Sequence, residues 1–300
     1  MKAIYTFGNG QAEGRADMKD LLGGKGANLA EMNLIGVPVP PGFTITTEVC
    51  TLYNKEGRDA VVAMIKDDVM KSIQHIENLT GNKFNDPSNP QLVSVRSGAP
   101  VSMPGMMDTV LNLGINDAVA ETLAQKSGNP RFAWDSYRRF VQMYGDVVLG
   151  MKPTNKTDID PFEAIIEEVK EKKGVKFDTE LDVEDLKELV ARFKAAVKEN
   201  TGKDFPTDAY DQLWGAIYAV FDSWNNDRAI LYRRMNQIPE EYGTAVNVQA
   251  MVYGKWATTV LLVCASRATP VPVRTCSTVS TSSMHRARTL WLVYAPRNRS

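Results

Sequence analysis

What most limits the folding of this chain is a change in composition near Lys255. Residues 255–300 carry seven basic residues (Lys255, Arg267, Arg274, Arg286, Arg288, Arg297 and Arg299) and no Asp, Glu or Gly; Ser and Thr fill 13 of the 46 positions. The preceding 254 residues hold all 36 acidic residues and 28 of the 35 basic ones, so the net charge of −1 averages an acidic body with a basic tail. Two kinds of sequence meet there, and only the first has the balance of a packed domain. Over the 300 residues, 43% hydrophobic and 24% charged content rule out whole-chain disorder and collagen-like folds. No run of 18 apolar residues suggests a membrane span, and the opening Met1–Gly14 has no apolar signal core. Cys50, Cys264 and Cys276 make neither a metal spacing nor a disulfide framework, so a reduced, cytoplasmic setting is expected.

Along the body, Ile4–Phe7 reads as a short strand, followed by a glycine string and a helix with Leu29, Met32 and Ile35 on one stripe, ending at Gly36. Val37–Thr47 has the prolines of an extended entry and the β-branched residues of a strand, and Thr47 is a plausible N-cap for the helix after it. A helix is predicted over 58–78 and a strand over Leu92–Ser97. From Asn116 to Asn200 the pattern is helical, a further helix runs from Pro206 to about Met235, and Gly243–Tyr253 returns to strand. The class is α+β.

Three places could carry chemistry. Gly23, Gly24, Lys25 and Gly26 open a helix, where glycines let the backbone approach an anion and the helix N-terminus offers free N–H groups. The spacing is not that of a Walker A loop, and a plain glycine turn stays open beside a phosphate loop. Arg96 ends an apolar strand and could grip phosphate bidentately, or be a solvated strand terminus. Ser102–Asp108 holds three methionines around Pro-Gly, either a soft wall for a flat ligand or core filling. With only His75, expected on the surface, and His285, a histidine metal site or a Ser-His-Asp triad is not expected. The charge runs 167–173 and 184–199 read as solvated helix faces rather than a nucleic-acid surface.

Several strings together carry a resemblance. They are Leu22-Gly-Gly-Lys-Gly-Ala-Asn-Leu-Ala-Glu-Met32, Pro41-Gly-Phe-Thr-Ile-Thr46, Val93-Ser-Val-Arg-Ser-Gly98, Met103-Pro-Gly-Met-Met-Asp-Thr109, Ser136-Tyr-Arg-Arg-Phe140, Ser223-Trp-Asn-Asn226 and Gly243-Thr-Ala-Val-Asn-Val-Gln249. Residues 1 to about 254 resemble the N-terminal nucleotide-binding domain of the pyruvate phosphate dikinases. The resemblance implies an ATP-grasp-like fold: a first α+β lobe over 1–115, a helical subdomain over 116–200 and the start of a second, incomplete lobe over 201–254. It implies ATP and Mg²⁺ as cofactors and conversion of ATP, phosphate and pyruvate to AMP, pyrophosphate and phosphoenolpyruvate through a phosphohistidine on another domain. Lys25 and Arg96 match the family's phosphate contacts, with Gly23, Gly24 and Gly26 as the loop and Gln249 and Met251 near the adenine. The family's Mg²⁺ carboxylates, its phosphohistidine domain and its pyruvate barrel have no counterpart in these 300 residues, so no catalytic set is complete and the chain alone is expected to be inactive. Neither nucleic acid nor membrane is an expected partner.

After Gly254 the resemblance stops in the written frame and resumes in another. Trp256–Arg267 and His285–Arg299, shifted by one base with free third bases, give the family's downstream motifs, so residues 255–300 are expected to be an out-of-frame reading without stable packing. A non-catalytic ATP-binding module with a basic interaction tail is the alternative. A dikinase with a different acceptor is disfavoured by the Met103–Asp108 string.

Overall fold

The computed structural model describes residues 2–153, 159–253, 262–263 and 291–292, which fall into two compact units, Met1–Met251 and Val252–Ser300. The first unit opens with β1 (Ile4–Gly8), β2 (Gln11–Ala12), α1 (Lys19–Leu34), β3 (Gly42–Ile45), α2 (Thr47–Glu56), α3 (Arg58–Thr80), β4 (Val93–Gly98) and β5 (Thr109–Leu113). Helices α4 (Asp117–Ser127), α5 (Pro130–Val147), α6 (Pro161–Lys173), α7 (Val183–Thr201), α8 (Ala209–Asp222) and α9 (Asp227–Met235) come next, and β6 (Ala245–Ala250) closes the unit. In the second unit, β7 (Leu262–Val263) and β8 (Trp291–Leu292) pair antiparallel. Apart from those two short strands, residues 255–300 lie outside the described residues, and with them the expectation of an unpacked, out-of-frame tail and the residues Cys264, Cys276 and His285.

The helix starts are written in the sequence. Asn116, Asn129, Asp160, Asp182, Asp208 and Asn226 each accept backbone N–H bonds at the start of α4 to α9, and Pro130 and Pro161 stand at the first helical positions. Asn226 explains why the single helix expected from Pro206 to Met235 is two: the chain breaks at Ser223–Asn225 and Asn226 restarts it as α9. Thr47 does not cap α2. It is the helix's first residue, and its hydroxyl donates instead to the Asp20 carbonyl at 2.7 Å.

The helical block buries its stripes internally. α5 packs on α4, α7 and β5, and α6 packs on α7. Phe205 meets the edges of Phe140 and Tyr144 at 5.8 and 5.4 Å, and Phe162 meets Phe193 at 4.9 Å. The charge runs form exposed ion pairs between α6 and α7, Lys172 with Glu188 and Arg192 with Glu168, worth little to stability individually. His75 is half-buried on α3 rather than fully at the surface.

The strand order of the sheet is β2-β1-β3-β6-β4-β5, every neighbour antiparallel, so β6, from the segment 201–254 expected to begin a second lobe, lies between β3 and β4. All six β6 residues are buried, and the strand has a hydrogen-bonded neighbour on both edges. Because side chains alternate along a strand, the register sorts the sheet into two faces. Phe43, Ile45, Val93, Val95, Val246 and Val248 share one; Thr44, Ser94, Arg96, Asn247 and Gln249 share the other. Helix α1 covers this polar face: a Cβ on Gly26 would lie 2.8 Å from the Thr44 side chain and 2.9 Å from Asn247 Oδ1. α3 lies against β1 and β3, and α8 against β4 to β6.

Candidate functional site

The glycine string does more than turn the chain. Inside α1, Gly23 leaves the helix with φ 66° and ψ 166°, a region essentially reserved for glycine. A Cβ there would sit 1.6 Å from the Gly98 carbonyl oxygen, so the β4 end and the glycine turn touch backbone to backbone. The contact is secured by the Gly24 N–H, which donates to Ala99 O at 2.9 Å. The break gives the segment from Gly24 onward its own helix N-terminus, aimed at the end of β4, with the positive dipole end that anions favour.

Lys25 is exposed as a residue, yet its ammonium turns inward and donates to the Ser97 carbonyl at 2.7 Å. Burial of the ammonium, and secondarily the Arg96 charge beside it, bring its pKa down from 10.5 to about 8. Arg96 stands inside β4, not at its solvated end as one reading allowed; it is 7% exposed, and burial lowers its pKa to about 10. Its guanidinium donates to Gln249 Oε1. Gln249 in turn donates through Nε2 to the Pro40 carbonyl at 2.9 Å. Two cations are thus held close together beside a helix N-terminus.

Gly23, Gly24, Gly26, Lys25, Arg96 and Gln249 therefore come together between α1 and the polar face. Met251 lies elsewhere. It stands just past the end of β6, and its N–H donates to Leu92 O at 2.8 Å, at the far end of β4 from Gly98, on the order of 15 Å away at the rise of a strand. The methionine loop joins β4 to β5 at the Gly98 end. Met103 is buried while Met106 and Met107 are half-buried, so only the first fills core. The loop is tied to α9: Asn226 Nδ2 donates to Met106 O at 3.0 Å, and Arg228 approaches Asp108 at 3.7 Å. Burial raises the Asp108 pKa.

Sequence reasoning missed Asn247. It is fully buried, its Oδ1 accepts from Thr44 Oγ1 at 2.9 Å, and its Nδ2, without a hydrogen-bond partner among the described residues, sits where a Cβ on Gly98 would be 2.5 Å away. The signal was the alternation of small or polar with apolar residues along Ala245–Ala250, which puts Asn247 on the face of Gln249. Cys50 is buried and its thiol is pushed up to about 11, so it is not a ready nucleophile. Among the described residues no group of three or more His, Cys, Asp or Glu could hold a metal, and no helix is long and apolar enough to cross a membrane.

Comparison with known proteins shows which family the chain resembles. The family model described as pyruvate phosphate dikinase, AMP/ATP-binding domain, matches residues 19–69 and 59–274. The pyruvate, phosphate dikinase of Clostridium symbiosum is 56% identical over 254 residues, 84% of this chain and 28% of that protein. The enzyme of that name from Rhizobium meliloti (strain 1021) is 53% identical over 253 residues, 84% of this chain and 27% of its own length. A chloroplastic counterpart from Mesembryanthemum crystallinum is 52% identical over 259 residues, 86% of this chain and 26% of that one. The chain thus spans little more than a quarter of the length of the relatives it matches.

Proposed function

This chain belongs to the family of pyruvate phosphate dikinase AMP/ATP-binding domains, and from that premise we propose that it binds ATP with the triphosphate between the Gly23–Gly26 turn and the polar face of the sheet. The observation that carries the reading is the close pair of Lys25 and Arg96 beside a helix N-terminus. Two like charges held together repel each other, and a triphosphate between them would relieve that repulsion. Lys25, as a compact charge on a flexible stem, would follow the outer phosphates. Arg96, buried and fixed, would set their direction. Met251, a strand's length away, would fall on the adenine side, within an ATP-grasp-like arrangement.

In the longer protein, this domain would supply the phosphoryl group for conversion of ATP, phosphate and pyruvate to AMP, pyrophosphate and phosphoenolpyruvate, through a phosphohistidine carried on another domain, in the cytoplasm. Mg²⁺ would enter as the counterion of ATP. The described residues do not offer a carboxylate set that fits it, and no step runs through it. What this chain's own residues do is bind and orient: fixed cations neutralise charge that grows on the phosphoryl oxygens as the bond to the leaving phosphate weakens.

Calorimetric titration of the chain with ATP tests the reading. Lys25→Met and Arg96→Met should each weaken ATP binding by about tenfold to a hundredfold, the scale of a charge-assisted hydrogen bond or two. Undiminished affinity in both variants would overturn it.

A further inference from the structure

We infer that Gln249 is a positioning residue that aims the Arg96 guanidinium at the nucleotide phosphates. Gln249 stands opposite Ser94 of β4, and Arg96 opposite Asn247 of β6, so the two are diagonal neighbours on one face, a separation that long side chains bridge. The Gln249 amide is fixed by two partners of opposite kind. Its Nε2 donates to the Pro40 carbonyl at 2.9 Å, and a carbonyl can only accept; its Oε1 accepts from Arg96, and a guanidinium can only donate. Neither end can flip without losing both bonds. Gly42, opposite Gln249 on β3, keeps this corner tight: a Cβ there would come within 2.4 Å of Val248 O and 3.0 Å of Gln249 Cα.

The choice of glutamine is a consequence of this geometry. Glutamate has the length but cannot donate to Pro40, and its charge would cancel that of Arg96 where the phosphates need it. Methionine or leucine fills the space and orients nothing. Only a neutral side chain of this length with a donor and an acceptor at its tip can hold the guanidinium in place without itself neutralising its charge. The sequence-based expectation put Gln249 near the adenine; its hydrogen bonds run to Arg96 and the Pro40 carbonyl.

The inference rests on Arg96 being a phosphate contact, and the test separates the two. ATP and adenosine affinities are measured by calorimetry for the full chain and for Gln249→Glu, Gln249→Met, Arg96→Met and the double variant Arg96→Met/Gln249→Glu, with thermal midpoints showing that each is folded. Gln249→Glu should weaken ATP about tenfold or more, the worth of one charge-assisted hydrogen bond, and leave adenosine binding unchanged. Gln249→Met should show a smaller loss of the same kind and stands in for Gln249→Glu if that variant does not fold. In the Arg96→Met background the Gln249→Glu loss should vanish, which a merely structural role would not produce. If Arg96→Met weakens ATP while Gln249→Glu does not, or if ATP and adenosine weaken together, the positioning role is wrong and the phosphate contact stands. If Arg96→Met leaves ATP affinity intact, the phosphate reading itself falls.

Discussion

On one face of the sheet Phe43, Ile45, Val93, Val95, Val246 and Val248 are all buried; on the other, one residue along each strand, stand Thr44, Ser94, Arg96, Asn247 and Gln249, buried as well. The same strands build both faces, and both are shut away from water, but they answer different demands. The apolar face needs only volume and fit. The polar face has donors and acceptors to satisfy, and it satisfies most of them in short chains, Thr44 to Asn247, Arg96 to Gln249, Gln249 to Pro40, leaving Asn247 Nδ2 without a partner among the described residues. The lesson is a division of labour by register: one set of positions secures the sheet, and the next holds the Arg96 guanidinium in a fixed direction. A slip of one residue in β6 would exchange the two sets and destroy both.

The largest expected effect probes the apolar side alone. Phe43 is fully buried at the centre of that face, and Phe43→Ala should cost about 3–5 kcal/mol of stability, from lost transfer energy plus the cavity left behind. Urea titration reads the stability, and ATP affinity measured on the folded fraction should stay near that of the parent. A large loss of affinity at full folding would show that the two faces are not separable.

Gly23→Ala probes the junction between the faces and the turn. The residue would have to hold φ 66° with a side chain pressed against the Gly98 carbonyl, so a strain of about 1–3 kcal/mol is expected where the turn keeps its shape. Because the turn can relax by pulling away from β4, much of the damage should appear as lost ATP affinity rather than lost stability. That is the reverse of Phe43→Ala. A variant as unstable as Phe43→Ala that binds ATP normally would break the comparison.

The same division separates what was legible in the sequence from what was not. Helix stripes, Asn and Asp caps and the apolar positions of strands are local patterns, and the body's helices and most of its strands were readable from them. Gly23–Gly26, Lys25 and Arg96 stood out as residue types suited to an anion. The place of β6 did not. Sheet order depends on partners more than a hundred residues away, and a late strand after a long helical stretch looks the same whether it completes the first sheet or begins another. Gln249 and Asn247 were hidden for a related reason: their roles are set by diagonal and cross-strand neighbours that the chain's own order does not place together.

The smallest effect expected, and the finest probe of the polar face, is pH dependence. With its pKa lowered to about 8 in the folded chain, Lys25 begins to lose its proton well below the ordinary lysine value of 10.5. The sign for stability is fixed: below about 8 the ammonium is charged in both states and its burial cost is carried in full. Between there and 10.5 the unfolded chain binds more protons than the folded one, so the contribution of Lys25 to stability improves as pH rises. The sign for binding is opposite, since a neutral amine attracts no phosphate. ATP affinity should fall several-fold between about pH 7 and pH 9, while Arg96, with its pKa near 10, keeps most of its charge. Lys25→Arg should flatten that fall, because a guanidinium stays protonated across the range. Calorimetric titrations at each pH, in buffers of matched ionic strength, measure the slope. An equal slope in the parent and in Lys25→Arg would assign the dependence to ATP's own phosphates or to another group, and would remove Lys25 from the polar face's account of phosphate binding.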